Sequence, residues 1–282
     1  MKLTTLIENH LGNNEALACE HGLSVLIETG DHVILFDTGA TGKAVTNARK
    51  LGIDLNRVDH IVVSHGHYDH SGGLMFLLQF LKKQPAVFLG KGFFPPAMRY
   101  DHFTDEDGKE VWESIGNEFT YRQLEDIGCP IHFCSEDVTA LSDDVLIFKN
   151  FPMHTSFEHL NPHFRVGQTE GGRLDTFDDE IALGLKTDRG LVVLVGCSHR
   201  GIVNMLDTIA SRTELPICGV IGGTHLVGAT PERLEATIEA FQAMDLQFLA
   251  LSHCTGNRNI DRLKEAFGDR FIMNDTGHTL NL

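Results

Sequence analysis

Residues 61–70 read IVVSHGHYDH, so an apolar, strand-like segment ends in three histidines and an aspartate within six positions. Imidazole nitrogens together with a carboxylate suit a borderline divalent cation such as zinc. Alternate residues of an extended segment point the same way, so His65 and His67 can share one ion while Asp69 and His70 face a second. The spacing therefore predicts a site for two metal ions rather than a solvated polar loop.

Three later segments repeat the pattern of a buried strand that breaks off into a histidine. They are residues 191–195 before His199, 217–221 before His225 and 247–251 before His253. Continuously apolar strands are typical of sheets covered on both faces, and ligands in layered α/β folds gather at the carboxyl ends of such strands. We therefore expect the four strand ends to meet at one site.

The composition is that of a globular protein with a large core, since 42% of the 282 residues are hydrophobic. No linker divides the chain, so one domain is expected over residues 1–282. Two irregular tracts, near residues 90–108 and 150–177, lie between strand signals and are predicted to be loop insertions that face the substrate. The net charge of −16 argues against nucleic acid and anionic membrane partners and favours a small-molecule substrate, while the oligomeric state stays open.

The cellular location follows from features that the sequence lacks. The N-terminal segment has no continuous apolar core of the secretory type, and no later apolar run is long enough to span a bilayer. The six cysteines include no Cys-x-x-Cys pair and suggest no disulfide framework. A cytoplasmic location is therefore the expectation.

Two blocks of the chain share one order of elements. In each block a strand hairpin, over residues 23–36 and 181–195, leads into helices that alternate with strands. Helical spacing predicts a helix over about residues 42–51, a second that begins near Ser71, and another from Pro231. Such a duplicated layout is typical of layered folds that have sheets inside and helices outside.

Several motifs together resemble the metallo-β-lactamase superfamily. They are Asp37 in the sequence FDTG, the HxHxDH run from His65 to His70 with SGG after it, and His253 at a later strand end. The resemblance spans nearly the whole chain. It implies an α/β fold, a four-layer αββα sandwich with two mixed sheets inside, helices outside and a metal site at its edge.

Further motifs resemble one branch of that superfamily. Residues 20–24 (EHGLS), 196–204 (GCSHRGIVN), 222–226 (GGTHL) and 253–256 (HCTG) are similar to cytoplasmic metal-dependent hydrolases, a branch that includes the archaeal dihydropterin-ribofuranosylaminobenzene phosphate synthase. The resemblance implies hydrolysis of a small anionic metabolite through a metal-activated hydroxide. The alternatives are a transferase of the synthase type and a non-hydrolytic iron enzyme, which His67 disfavours because diiron relatives commonly carry glutamate there.

The resemblance also implies a ligand set for two divalent ions, zinc or else iron or manganese. The implied ligands are His65, His67, Asp69, His70, His199 and His253. Cys197 departs from the family pattern, because many relatives carry a metal-bridging aspartate after the corresponding glycine. A bridging Cys197 thiolate and His154 are therefore alternatives to His199, which is preferred because a bridging thiolate would displace the hydroxide.

Three residues are candidates for catalytic roles. Asp69 is expected to bind metal and to orient the nucleophile. Asp37 is expected to accept hydrogen bonds from ligand imidazoles or loop amides, with a capping role in the turn that follows it as the alternative. His225 is expected to be the general acid that protonates a leaving group, with metal ligation as the alternative.

Overall fold

The apolar runs of the sequence form strands, and the segments with helical spacing form helices. The computed structural model describes residues 1–168 and 172–282. Within those ranges the strands are β1 (Lys2–Ile7), β2 (Ser24–Glu28), β3 (Val33–Phe36), β4 (His60–Val63), β5 (Ala86–Gly90), β6 (Arg99–Thr104), β7 (Glu110–Ser114), β8 (Ile131–Cys134), β9 (Val138–Ala140), β10 (Val145–Phe148), β11 (Phe164–Val166), β12 (Arg173–Leu174), β13 (Ala182–Thr187), β14 (Gly190–Val195), β15 (Ile217–Gly223), β16 (Phe248–Ser252) and β17 (Thr279–Asn281). The α-helices are α1 (Lys43–Lys50), α2 (Tyr68–Ser71), α3 (Leu74–Phe80), α4 (Tyr121–Glu125), α5 (Ile202–Thr213), α6 (Pro231–Ala243) and α7 (Asn257–Phe267). Short 3-10 turns cover Leu55–Arg57, His253–Thr255 and Gly268–Arg270.

Two mixed sheets form the centre of the protein. The first has the strand order β17-β1-β2-β3-β4-β5-β8, antiparallel as far as β3 and parallel from β3 to β8. The second has the order β16-β15-β14-β13-β10-β9, parallel from β16 to β14 and antiparallel from there to β9. The four strands that end in histidines thus belong to the parallel part of each sheet, where carboxyl ends lie side by side.

Three apolar clusters separate four layers. Helices α1, α3 and α4 bury their apolar faces against the outer face of the first sheet. Side chains such as Phe36 and Ile147 fill the space between the two sheets. Helices α5, α6 and α7 cover the outer face of the second sheet. The four-layer αββα sandwich predicted from the sequence is confirmed.

Strand β4 belongs to two of these clusters at once. Ile61 and Val63 pack with the outer helices, whereas Val62 points between the sheets. Because successive side chains of a strand face opposite sides, a strand covered on both faces has to be apolar at every position. This explains why an uninterrupted apolar run precedes His65.

The predicted hairpins are confirmed, as are the helices predicted over about residues 42–51 and from Pro231, whereas the helix predicted to begin near Ser71 begins at Leu74 as α3, after the short helix α2. Strands β2 and β3 pair antiparallel around residues 30–31, and β13 pairs antiparallel with β14. Helix α6 begins at Pro231, and the Thr230 side chain accepts a hydrogen bond from the backbone N–H of Arg233. Proline is well suited to this first position because its missing N–H has no helical partner to lose.

In their described residues, the two tracts predicted to be loop insertions contain the strands β6, β11 and β12, while residues 169–171 of the second tract lie outside the described residues. Strands β6, β7, β11 and β12 form a third, antiparallel sheet, in which Asp101 pairs with Phe164 across the two tracts. Strands β11 and β12 have only three and two residues, too few for a periodic pattern to show. Strands β6 and β7 read RYDHFT and EVWES, and most of their residues are partly or fully exposed, so neither contains an apolar run that marks a buried strand.

The longest described helix, α6, has thirteen residues. In the described ranges, no helix combines the length and the apolar character that a bilayer crossing requires.

Arg99 in β6 connects the third sheet to the rest of the protein. Its guanidinium donates to Asp175 Oδ2 over 2.7 Å and to the two carboxylate oxygens of Asp179 over 3.0 and 2.6 Å, and all three side chains are buried. Asp179 Oδ2 also accepts from the backbone N–H of Gly66 over 2.8 Å. One buried carboxylate therefore holds both the third sheet and the histidine run.

Replacing Arg99 with alanine should lower the free energy of unfolding by about 3–5 kcal/mol, because two buried carboxylates lose their cation. Arg57→Ala is the matched control, since Arg57 pairs with Glu28 at 3.1 Å and its side chain is 63% exposed. The control should cost at most about 1 kcal/mol. Urea denaturation followed by circular dichroism measures both changes, and equally small losses would contradict the connecting role of Arg99.

Candidate metal centre

The four strand ends with histidines converge on one buried region. His65 follows β4, His67 precedes the short helix α2, and Asp69 and His70 lie within it. The remaining histidines are His199 after β14, His225 after β15 and His253 after β16. The chain turns sharply after β3, β14, β15 and β16, where Asp37, Ser198, His225 and His253 adopt a positive φ between 45° and 59°. Non-glycine residues rarely adopt this conformation, and it clusters at functional sites.

A first cluster consists of three imidazoles. The ring centroids of His65, His67 and His199 are 4.6 to 4.8 Å apart, and Nε2 of His65 lies 3.2 Å from Nε2 of His199. Burial holds the pKa of each of these histidines well below its usual range. They are therefore neutral near pH 7, with lone pairs available to a cation.

A second cluster consists of a carboxylate and two imidazoles. Asp69 Oδ2 lies 3.1 Å from His253 Nε2 and 3.5 Å from His70 Nε2, and the two Nε2 atoms are 3.2 Å apart. Burial disfavours the charged form of His70, but the nearby carboxylates of Asp69 and Asp37 raise the pKa of His70 to about 9. Burial likewise disfavours the charge of Asp69, yet the nearby His70 and hydrogen bonds from His21 and His253 hold the pKa of Asp69 well below its usual range.

Cys197 lies between the two clusters. Its Sγ is 3.1 Å from His70 Nε2, and it lies within 4.8 Å of candidate ligand atoms of Asp69 and His253 on one side and of His65 and His199 on the other. Burial raises the pKa of the Cys197 thiol well above its usual range, so direct contact with a cation would be needed to deprotonate it. The sequence offered Cys197 and His199 as alternatives, whereas the structure brings both to the site.

His154, the other alternative, does not join either cluster. Its Nε2 lies 3.1 Å from Asp207 Oδ2, and its side chain is 43% exposed. The structure therefore places His154, which the sequence offered as an alternative to His199, outside both clusters.

The donor atoms of the two clusters fit divalent cations. Nε2 of His67 and Nδ1 of His199 are buried and have no hydrogen-bond partner among the described residues. Imidazoles, a carboxylate and a thiol are the ligand types that zinc binds in proteins once they have lost their protons, and His70, whose pKa is about 9, would give up its proton on binding a cation. Buried polar atoms without partners are costly, and a bound cation would satisfy them.

An open cleft of about 470 Å³ gives access to these clusters. Its walls include Asp69, His199 and His225 from the site and Asp101 and Phe164 from the third sheet. Asp101 and Phe164 belong to the two tracts that the sequence predicts to be loop insertions. Burial raises the pKa of Asp101 above its usual value.

Similarity to known proteins identifies the family to which the chain belongs. The family model of the metallo-beta-lactamase superfamily matches residues 17–133. A crystal structure of a metal-dependent hydrolase of the beta-lactamase superfamily is 30% identical and has a TM-score of 0.83, covering 100% of this chain and 99% of that chain. The chain belongs to the metallo-β-lactamase superfamily. Its fold and its His, Asp and Cys clusters both support the binding of divalent metal.

Two further comparisons bear on the resemblance read from the sequence. The chain is 30% identical to the 7,8-dihydropterin-6-methyl-4-(β-D-ribofuranosyl)-aminobenzene-5'-phosphate synthase of Methanocaldococcus jannaschii, over 96% of this chain and 93% of that protein. Zn(2+)-bound PqqB from Methylobacterium extorquens has a TM-score of 0.60 over 100% of both chains, but at 9% identity it shares the fold alone. The resemblance to the superfamily, and to the branch with this synthase, is confirmed.

Asp37 lies where a carboxylate can orient one ligand of this metallo-β-lactamase site. It is fully buried, and its Oδ2 lies 2.6 Å from His70 Nδ1 and accepts from the Ser64 hydroxyl over 2.8 Å. Its Oδ1 accepts from the backbone N–H of Ser64 over 2.6 Å. Contacts of this kind fix the direction of a ligand imidazole.

Four residues that support the site were not identified from the sequence. Glu8 Oε1 accepts from the backbone N–H of His253 over 2.6 Å, and Asn9 Oδ1 lies 2.9 Å from its Nδ1. Glu180 accepts from the backbone N–H of His199 over 2.7 Å, and burial raises the pKa of Glu180 to about 7. The ring of Phe177 stacks on His199 with centroids 3.9 Å apart. No local sequence signal marks these residues, because each reaches its partner from a distant part of the chain.

His65→Ala and His67→Ala should each remove bound metal, because each change deletes a buried imidazole of the first cluster. His102→Ala is the control: it deletes an imidazole that stacks on Trp112 in the third sheet with centroids 3.8 Å apart. The metal content of protein purified without chelator is measured by plasma mass spectrometry. The expected loss is at least one ion per chain in the two site variants and none in the control, and equal losses in all three would show that the site is misplaced.

Proposed function

We propose that this protein is a metal-dependent hydrolase that acts on a small anionic metabolite. Two buried ligand clusters beside one open cleft are the observation that carries the proposal. When bound, a pair of divalent ions lowers the pKa of a water molecule and stabilises negative charge that develops on the substrate. Zinc is the expected metal, because the imidazole and thiol donors suit it.

The proposed ligands form two sets. His65, His67 and His199 would hold one ion, and Asp69, His70 and His253 would hold the second. Cys197 lies within reach of both sets, so its thiolate would be a further ligand to one of them, since a thiolate shared by both ions would displace the hydroxide that hydrolysis needs. The sequence preferred His199 over Cys197, whereas the proposed ligands include both.

The other residues of the cleft have roles that follow from their contacts. His21 Nε2 lies 3.3 Å from Asp69 Oδ2, so Asp69 is held from two sides, by His21 and by His253. A carboxylate fixed in this way can also orient the nucleophile. Asp37 fixes the direction of His70, and Phe164 and Phe177 shield the first cluster from water through edge and stacking contacts with its imidazoles.

His225 is proposed as the general acid. It lines the cleft, its ring centroid is 4.5 Å from that of His199, and its Nδ1 is buried without a described partner. Its backbone N–H donates to Cys254 Sγ over 3.2 Å, which fixes the turn that presents the ring. Its Nδ1 or Nε2 also lies within 4.8 Å of the two thiols of Cys197 and Cys254, so metal ligation is the competing role.

Cobalt substitution tests the role of Cys197. Cobalt-loaded protein should show a strong thiolate-to-cobalt charge-transfer absorption, and Cys197→Ser should abolish it because a serine hydroxyl is a far poorer ligand. Cys218→Ser is the control, since Cys218 is buried in β15 and belongs to neither cluster. A spectrum without the charge-transfer band would exclude thiolate ligation, and a band that Cys197→Ser leaves unchanged would assign the ligation to another thiol, such as that of Cys254.

Hydrolysis is tested with a panel of phosphoesters, lactones and thioesters. Activity should disappear with a chelator and return with zinc, and His225→Gln should lower kcat by about 10²- to 10⁴-fold with the metal content unchanged. Loss of metal from His225→Gln would identify a ligand instead of a general acid. Chelated protein that keeps full activity would contradict the proposal.

A synthase-type transfer is the second candidate, and the relative from Methanocaldococcus jannaschii favours it. Its name describes a 7,8-dihydropterin-6-methyl group joined to a ribofuranosylaminobenzene phosphate. The chain would be offered a dihydropterin that carries a diphosphate leaving group on this methyl, with and without the aminobenzene acceptor. A coupled product that forms only with the acceptor would show a transferase, whereas the free alcohol in both mixtures would show a hydrolase.

A further inference from the structure

A second cavity adjoins the cleft of the metal centre. It has a volume of about 660 Å³ and shares His225 and Val227 with the cleft as lining residues. The other walls come from residues 157–163 on one side and from residues 228–233, at the start of α6, on the other. A molecule bound at the metal centre can therefore extend past His225 into this second cavity.

Arg233 is the cation in the wall of the second cavity. Its Nε is buried and has no hydrogen-bond partner among the described residues, and no carboxylate of the described ranges lies within 4.0 Å of its guanidinium. Arginine keeps its charge in proteins even where burial lowers its pKa, as it does here. A buried guanidinium donor without a partner is costly unless a ligand completes it.

The nearest acidic groups leave this guanidinium free. Glu158 influences Arg233 through its charge, but its own carboxylate oxygens accept from the backbone N–H groups of Val203 and Asn204 over 2.9 and 2.8 Å. Glu232 lies at the exposed start of α6, where its carboxylate bonds to its own backbone N–H and to Thr230, and its pKa is lowered. Neither group forms an ion pair with Arg233.

The surroundings of Arg233 favour an anion with several oxygens. The positive end of the α6 dipole lies at this wall, since Thr230 is its N-cap and Pro231 its first residue. His159 and His163 also line this cavity. A guanidinium with further donors around it matches a phosphate group better than a carboxylate, because phosphate presents three terminal oxygens.

We propose that the second cavity is a subsite for a phosphate group, with the guanidinium of Arg233 as its main contact. This proposal rests on the proposed function, because it assumes that the substrate reacts at the metal centre. The substrate class is then a phosphorylated small molecule whose phosphate is not the leaving group but lies beyond His225.

Calorimetric titration of the metal-loaded full chain tests the subsite, with ribose 5-phosphate as the probe and ribose as its neutral counterpart. Arg233→Gln should weaken the binding of ribose 5-phosphate about tenfold or more, because a charge-assisted contact is lost. Arg262→Gln removes the same charge from a guanidinium that is already paired with Glu235 over 2.7 Å, and it should leave the Kd unchanged. Arg233→Lys keeps the charge and should recover part of the affinity, which separates a folding defect from a binding defect.

Three results would contradict the proposed subsite. The first is an unchanged Kd for ribose 5-phosphate in Arg233→Gln. The second is loss of ribose 5-phosphate binding when the wild-type chain is treated with a chelator, because the phosphate would then bind the metal centre. Ribonate that binds as tightly as ribose 5-phosphate would contradict the assignment to phosphate.

The titration needs no turnover, so it separates the two proposals. Binding that depends on Arg233, together with no hydrolysis of any substrate, would count against the proposed function alone. Hydrolysis with no effect of Arg233 on binding would count against the subsite alone.

Discussion

Crowding of ligand atoms in a buried space is the constraint on which the rest of this structure depends. The buried side chains at the four strand ends include seven that form the two clusters or lie between them: His65, His67, Asp69, His70, Cys197, His199 and His253. Several of their donor atoms lie 3.1 to 3.5 Å apart. Such a group is costly in an apolar interior unless a cation binds it. The scaffold can therefore be understood as a means of holding these side chains in place before the metal arrives.

Buried carboxylates outside the two clusters do much of this holding. Asp37 fixes His70, Glu8 fixes the backbone of His253, and Glu180 fixes the backbone of His199. The turns that they stabilise are strained, since left-handed conformations of non-glycine residues cost of order 1–3 kcal/mol each. Five of the eight such residues in the described ranges lie at or beside the site: Asp37, Phe177, Ser198, His225 and His253. The hydrogen bonds of the carboxylates offset this strain and keep the ligands aimed at one point.

The sequence predicts the parts of this arrangement that have local patterns. The apolar run before His65 and its three later counterparts indicate strands, and the motif from His65 to His70 indicates the superfamily. The layered fold follows from both. Glu8 could not be predicted as a partner of His253, because the two residues are 245 positions apart and no periodicity connects them. The third sheet was missed because β11 and β12 have only three and two residues and because most residues of β6 and β7 are partly or fully exposed.

The choice between Cys197 and His199 shows a different limit of sequence reasoning. Treating the two residues as alternatives assumed that one ligand would leave this strand end. Ser198 between them has a φ of 59°, and this turn lets both neighbours reach the site. Backbone conformation at a single residue therefore changes which side chains reach the site, and a residue pattern alone does not specify it.

Anomalous diffraction from crystals of the zinc-loaded protein, recorded on both sides of the zinc absorption edge, tests the central claim most directly. The account predicts two anomalous peaks, one beside His65, His67 and His199 and the other beside Asp69, His70 and His253, with Cys197 Sγ between them. A single peak, or peaks outside these two clusters, would contradict it.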